Sequence, residues 1–469
     1  MRLIKWIIGG LLLAQGAYSL SKGTVKQNVI LPFSITVDGQ TVSAGLTLDS
    51  NWRWFHSKSG YDNCFDGSGW VSKYCPDAKT CSANCVIDGV DSADWKAPYG
   101  VTASGNSVRL NYVTQGPYGA NIGSRLYITN ADGSAYQGFD MRNKQIAFTV
   151  DTSNVPCGLN GAVYFTEMPL RNPYDSDLTP AFGINYGDSQ CPRDIKYLTG
   201  DANVGNPPRG ACSNEYDIWE ANSQAQSLAL HPCADSVVGV TPCTSDLTCG
   251  VGANRQKGVC DRDGADYNPN RLGDKSFYGK GSSFKVDSSK PIRVITQFPT
   301  DSTGKISKIV RYYQQNGKTI FGAEVTPSSA STQKAQFKET DRFTELGGFS
   351  TMTDSFARKH ALVLSLWDDD TVNMRWLDSV YPIGSTNPFD YRGPCSSHNN
   401  SPNYLRSTYP NSYVVYSDVS VGDIVNYNPT GQPTPRPTPR PTSVPTPQPP
   451  TTCPTPPPTP PQRTCCCSV

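Results

Sequence analysis

The apolar residues of this chain fall in short runs rich in β-branched and aromatic side chains, separated by Gly-, Asn- and Asp-rich stretches. That pattern predicts strands. "IRVITQF" (Ile292–Phe298), "IVRYYQQNGKTIFGAEV" (Ile309–Val325) and "ALVLSLWDDDTVNMRWLDS" (Ala361–Ser379) are the strongest. "QIAFTVDT", "GAVYFTEMP" and "SYVVYSDVSV" add more. Asn316-Gly317 predicts a tight hairpin turn, and Asp368-Asp369-Asp370 a second hairpin. Helical periodicity is confined to one short candidate near Ser355–His360. Strands joined by long polar loops over residues 20 to 427 predict an all-β, two-sheet sandwich. A concave sheet rimmed by long loops would form a groove.

Two ends depart from this pattern. "MRLIKWIIGGLLLAQGAYS" has a basic start, an apolar stretch too short to span a bilayer and a small-x-small site, so residues 1–19 predict a secretory signal peptide. From residue 428 a Pro/Thr-rich tail runs to "CCCSV"; it has no apolar surface to bury and predicts an extended, disordered spacer. The 469 residues carry a net charge of +1, which gives no electrostatic case for nucleic acid or an anionic membrane and leaves a neutral polymer as substrate class. Twelve of the 16 cysteines lie between Cys64 and Cys395. An even set in an exported chain predicts a disulfide framework; zinc at Cys81-x-x-x-Cys85 is the competing reading. Asn399-Asn400-Ser401 is a glycosylation sequon.

Candidate chemistry sits in "NEYDIWEANS" (Asn214–Ser223). On a strand Glu215 and Asp217 share a face, while Glu220 has the opposite parity. Only a bulge or strand end would bring it to the other two. The bland reading is a charged strand edge. The sharper one is glycoside hydrolysis, which needs two carboxyl groups roughly 5–5.5 Å apart in its retaining form, with a third carboxyl tuning their pKa values. Tryptophan supplies flat faces for sugar rings, although most tryptophans serve the core.

Residues 25–427 closely resemble glycoside hydrolase family 7, the secreted cellobiohydrolases and endoglucanases that cleave cellulose. "LDSNWRWFH", "YGVTASGNSVRLNYVTQ", "NIGSRLY", "PCGLNGAVYF", "GDSQCPRDIKY", "NEYDIWEANS", "NPNRLG", "SLWDDDTVNMRWLDSVYP" and "RGPCS" occur in family order. The resemblance implies a concanavalin-like β-jelly-roll sandwich whose disulfide-pinned loops build a cellulose-binding groove or partial tunnel. It implies Glu215 as nucleophile, Asp217 as partner carboxyl and Glu220 as general acid/base. His231 matches a histidine on the leaving-group side; a purely structural hydrogen bond is the alternative.

Sugar platforms carry over as Trp54 at the groove entrance, Trp52 further in, Trp367 on the substrate side of the cut and Trp376 on the product side. Arg125, Asn160, Tyr164, Tyr186, Asp188, Gln190 and Lys196 match polar groove positions. Arg255, Asp263, Asp266, Arg271 and Arg392 match a cluster that grips cellobiose. The pairing implied for the cysteines is Cys64–Cys85, Cys75–Cys81, Cys157–Cys395, Cys191–Cys212, Cys233–Cys260 and Cys243–Cys249, which leaves none of the twelve over.

The retained segment Cys233–Cys260 with Arg255 favours release of cellobiose from reducing chain ends. The short "GNPPRGA" (Gly205–Ala211) and the absence of roof tyrosines near Val251 and at Thr371 weaken that and predict a partly open tunnel with some internal cleavage. An endo-β-1,4-glucanase with an open groove is the alternative; a catalytically silent carbohydrate-binding protein is a further one. The resemblance implies a secreted, extracellular, monomeric enzyme acting on cellulose or another β-1,4-glucan, with no metal or organic cofactor.

Overall fold

The structure is a computed structural model that describes residues 19–174, 176–396 and 400–428. Residues 1–18 of the expected leader, the Pro/Thr-rich tail from residue 429 with its four cysteines, and the sequon acceptor Asn399 lie outside the described residues. Among the described residues no helix is long and apolar enough to cross a membrane.

The principal strands are β1 (Leu31–Val37), β2 (Gln40–Leu48), β3 (Ser124–Asn130), β4 (Lys144–Asp151), β5 (Leu159–Thr166), β6 (Glu215–Ala221), β7 (Gln226–His231), β8 (Ala265–Tyr267), β9 (Ile292–Gln297), β10 (Ile309–Gln315), β11 (Lys318–Val325), β12 (His360–Asp368) and β13 (Tyr413–Asp423). They form one continuous hydrogen-bonded path in the order β8-β7-β6-β5-β12-β3-β2-β1-β13-β4-β9-β10-β11. Neighbours pair antiparallel except at β1–β13, where Thr36 and Val37 run parallel to Ser420 and Val421. The path doubles back there into two layers. Tyr416 Oη on β13 donates to the Ser365 carbonyl on β12 at 2.9 Å, a contact across the layers.

Alternation decides which face each side chain takes. Leu362, Leu364 and Leu366 of β12, and Val163 and Phe165 of β5, join Val294, Ile309, Tyr313 and Val414 in the main core. The opposite face of β5 and β12 presents Ala162, Tyr164, Ser365 and Trp367 to a cleft. At the β10–β11 turn both Asn316 (φ 52°) and Gly317 (φ 72°) have positive φ, as a two-residue hairpin turn requires.

Two expectations need correction. Asp368–Asp370 does not punctuate a hairpin: β12 ends at Asp368 and a short helix, Arg375–Asp378, follows. The Asp369 carboxylate accepts from the backbone N–H groups of Thr371, Val372 and Met374 at 2.7, 3.1 and 3.1 Å. That capping satisfies the turn without a returning strand. Helix content is also larger than the single short candidate, with helices at Pro327–Phe337 and Gly348–Ala357. In the second, Phe349, Met352, Thr353 and Phe356 are buried at the spacing of one helix face.

Among the described residues the six disulfides join the pairs that the resemblance implies. Cys81 and Cys85 are therefore half-cystines, not thiolate ligands for zinc. The groupings of potential metal ligands among the described residues all contain such bonded cysteines.

Candidate active site

The parity problem of Glu220 is resolved by a β-bulge. On the β5 side, Tyr164 pairs with Asp217 and Val163 with Trp219, which leaves Ile218 as an extra residue. On the β7 side the register shifts at the same place, between Asp217 and Glu220. A bulge of this kind turns the following side chains over. Tyr216, Ile218, Trp219 and Ala221 pack into the core, while Glu215, Asp217 and Glu220 all line the cleft.

The three carboxyl groups are 6, 6 and 8 % exposed, and each is held by named donors. Glu215 Oε2 accepts from the Ser189 N–H at 3.0 Å and Oγ at 2.6 Å. Glu220 Oε1 accepts from Asn160 Nδ2 at 2.9 Å, and Asn160 Oδ1 in turn accepts from the Ala221 N–H at 3.0 Å. That second bond fixes which end of the amide faces Glu220. Asp217 Oδ2 lies 3.0 Å from His231 Nε2, and His231 Nδ1 lies 2.8 Å from the Asp261 carbonyl. The imidazole packs against Gly264, where a Cβ would meet ring atoms at 2.5–2.9 Å and φ is +64°; only glycine fits there.

Burial is the largest influence on all three acids and raises their pKa values well above the ordinary carboxyl range. The charge of Asp217 raises Glu215 and Glu220 further, and that of Asp188 raises Asp217. The His231 charge pulls Glu215 and Glu220 the other way, and after it the donors, Ser189 on Glu215 and Asn160 on Glu220.

The cleft measures about 750 Å³. Of the residues matched by resemblance, Trp52, Arg125, Tyr164, Tyr186, Asp188, Gln190, His231, Arg255, Asp263, Asp266, Arg271, Trp367, Trp376 and Arg392 line it. Trp367 and Trp376 are stacked with centroids 6.2 Å apart. Arg125 lies over the Tyr186 ring at 3.4 Å while its Nε donates to Asp49 at 3.0 Å. Tyr186 Oη donates to Asp188 at 2.6 Å and bonds Tyr164 Oη at 2.9 Å.

At the other end Arg271 Nη1 donates to both Asp266 oxygens, at 2.9 and 2.8 Å, and Nη2 donates to Glu339 at 2.6 Å. Arg392 joins Asp266 at 3.3 Å, and Arg255 pairs with Asp263. The Asp263 and Asp266 carboxyls stay below their ordinary range because their arginines outweigh burial.

Three matched residues lie off the cleft wall. Asn160 acts through Glu220, as above. Trp54 is stacked on His56 at 4.0 Å, with Nε1 donating to Asn63 at 2.7 Å. Lys196 is tied to the Asn51 carbonyl and sits 4.3 Å from the Phe65 ring; burial pushes its ammonium down to about 8. Its ammonium thus holds the residue next to Trp52 and is not among the groups that line the cleft.

Arg262, Glu339, Arg406 and Asp368–Asp370 also line the cleft, a placement the sequence patterns do not foretell. Arg262 stands next to Asp263 in sequence, which was the one available signal.

Comparison with known proteins places these features in context. The sequence profile described as "Glycosyl hydrolase family 7" matches residues 33–427. The exoglucanase GH7B of Limnoria quadripunctata is 42% identical over 453 residues, covering 91% of this chain and 99% of that protein. A cellobiohydrolase of the same family from Daphnia pulex superposes with a TM-score of 0.82 at 36% identity, covering 86% of this chain and 99% of its own. A cellobiohydrolase from Melanocarpus albomyces, solved with cellotetraose, gives 0.78 at 33% identity, covering 86% and 98%.

Proposed function

This chain belongs to glycosyl hydrolase family 7 and is a cellulase; on that premise we propose that it cuts β-1,4-glucosidic bonds with retention and works chiefly as a cellobiohydrolase. Glu215 attacks the anomeric carbon while Glu220 delivers a proton to the glycosidic oxygen. Glu220 then takes a proton from water, and that water displaces Glu215 from the glycosyl-enzyme. The donor sets support this division. Two Ser189 donors converge on one Glu215 oxygen and favour its ionised form. Glu220 receives a single amide donor on Oε1, so Oε2 is left to carry the proton.

The observation that carries the exo reading is the segment closed by Cys233–Cys260: it brings Arg255 to the same cleft as the Asp266–Arg271–Arg392 cluster. Such a cation-and-carboxylate cluster suits the hydroxyls of a departing cellobiose unit. The relatives above carry the names exoglucanase and cellobiohydrolase, which supports the same reading. The turn at Gly205–Arg209 is short and largely exposed, so some internal cleavage accompanies exo action.

We also propose that the enzyme is exported and monomeric, the basic and apolar start serving as leader; N-terminal sequencing and light scattering of protein recovered from culture medium check this. For the chemistry, Glu215→Gln should lower turnover of a cellobioside chromophore by at least about 1,000-fold; surviving turnover removes Glu215 as nucleophile. For the exo reading, new reducing ends on swollen cellulose should be mostly soluble, and a majority of insoluble ends overturns it.

A further inference from the structure

We propose that Arg311 is a positioning residue for the general acid/base, holding from behind the catalytic strand the bulge that turns Glu220 into the cleft. The proposal rests on the reading of Glu220 given above. Arg311 lies on β10, in the opposite layer, and is 1 % exposed. Its guanidinium reaches through the core. Nε donates to Thr296 Oγ1 on β9 at 3.0 Å, and Nη2 donates to the carbonyl of Ile218. Ile218 is the extra residue of the bulge. A bulge leaves that residue outside the ladder, and a buried carbonyl without a donor is strongly unfavourable. Arg311 supplies a donor to that carbonyl from the opposite layer.

Among the described residues no carboxylate pairs with the charge: burial lowers its pKa, and besides the two acceptors above only Tyr313 and Tyr267 counter that. A buried cation without a counter-ion is destabilising unless hydrogen bonds offset it. An apolar side chain would fill this part of the core more cheaply, so what Arg311 bonds is its reason for being there. The backbone around it is shaped to fit. The β10–β11 register shifts at Arg311 and makes Gly322 the extra residue of a second bulge. A Cβ on Gly322 would come within 2.9 Å of Arg311 Cγ and 2.5 Å of the Tyr313 ring. The Gly322 carbonyl is itself capped by Tyr267 Oη at 2.6 Å.

The consequence is selective. Glu215 and Asp217 precede the bulge and keep their facing whatever happens at Ile218. Glu220 follows it, and loses its facing if the bulge migrates or straightens. Loss of Arg311 should therefore damage proton transfer more than nucleophilic attack.

A series of aryl cellobiosides separates the two. With dinitrophenolate as leaving group, bond cleavage needs little proton donation; with phenolate it depends on it. For Arg311→Met, kcat/KM should fall about 10- to 100-fold on phenyl cellobioside, part of the full general-acid contribution, and change far less on the dinitrophenyl compound. Azide attacks the anomeric carbon of the glycosyl-enzyme without a general base, displacing Glu215. It should accelerate turnover of the dinitrophenyl substrate and give cellobiosyl azide, as in Glu220→Gln. Thr296→Val, which removes only the bond that aims the guanidinium, should show the same pattern more weakly and covers the case in which Arg311→Met does not fold.

Equal losses across all leaving groups in these variants, or no azide effect beside a normal Glu220→Gln response, overturn the positioning role. A Glu220→Gln enzyme without leaving-group dependence overturns the acid/base reading and the proposal with it.

Discussion

His231 determines how a proton is held on Asp217, beside Glu215. Its Nδ1 faces the Asp261 carbonyl, which can only accept, so Nδ1 carries hydrogen. Nε2 faces Asp217 Oδ2 at 3.0 Å, so one further proton lies between imidazole and carboxyl. Asp217→Asn keeps the shape but cannot share that proton, and turnover should fall about 10- to 100-fold. Burial is the first cause of the raised Glu215 pKa and the Asp217 charge the second. Removing that charge lowers the Glu215 pKa, so the acid limb of kcat/KM should move to lower pH. A pH profile on a chromogenic lactoside reads it, and an unmoved limb refutes the coupling. A second buried acid, Asp378, touches no substrate-facing group. Burial pushes it up to about 7, against the Gly158 N–H and the Asn222 amide. Its folded pKa lies above that of an unfolded aspartate, so its stabilising contribution is complete below about pH 4 and is lost as pH rises through about 7. Asp378→Asn keeps acceptor capacity without titrating. Its melting temperature should fall less than the wild type's between pH 5 and 8.

The elements show which local signals survive folding. Asn316-Gly317 and the parity of Glu220 depend on neighbours in sequence, and both were readable: the first became a turn, the second a bulge between Asp217 and Glu220. The helix Gly348–Ala357 was hidden by its Gly, Ser and Thr content, although Phe349, Met352 and Phe356 mark one face. The sequence predicts a returning strand for Trp376, because nothing in "DDDT" announces that Asp369 collects three backbone N–H groups. Arg262 is the instructive miss at the site. Its Nη1 donates to the Gly250 carbonyl at 2.6 Å and its Nε to Gln190 at 3.2 Å, while the Gln190 amide donates back to its own carbonyl at 2.8 Å. Arg193–Asp246 at 2.8 Å adds a second tie. Together they fasten the loop that carries Arg255 to the cleft wall beside Glu215. Partners 12 and 72 residues away leave no local trace in sequence. Arg262→Ala should loosen this loop, weaken inhibition by cellobiose and raise the insoluble share of new reducing ends about twofold or more. If processivity rests on loop closure, those two changes occur together; a change in neither detaches Arg262 from closure.

At the scale of the molecule, the cleft draws its walls from Trp52 to Arg406, and only the doubled-back path of strands brings them together. The parallel β1–β13 junction joins the layers near both ends of the sheet-forming chain. Cys157–Cys395 reinforces the closure over a sequence separation of 238. Cys157 lies two residues before β5, and Cys395 follows Arg392 of the Asp266–Arg271 cluster. The Cys395 N–H donates to the Asp378 carbonyl at 2.9 Å, and the Arg392 N–H to the Ser379 carbonyl at 2.9 Å, so the bond anchors the same short stretch that carries Trp376. A loop of this length gives a chain-entropy contribution of about 5 kcal/mol. That figure is an upper value, because the disulfides at Cys191–Cys212, Cys233–Cys260 and Cys243–Cys249 lie inside the loop and already restrict it. Replacing both cysteines by alanine should lower the melting temperature by several degrees and shorten the half-life of activity on heating, the quantity that governs a disulfide-bonded enzyme that unfolds irreversibly. It should also weaken cellobiose inhibition at temperatures where the fold is intact, since Arg392 and Trp376 lose their shared anchor while Glu215, Asp217 and Glu220 keep theirs. Cleavage of a small aryl cellobioside should then change little. A variant that loses cleavage and product binding in equal measure would mean that the bond supports the whole sandwich and not the product-side wall.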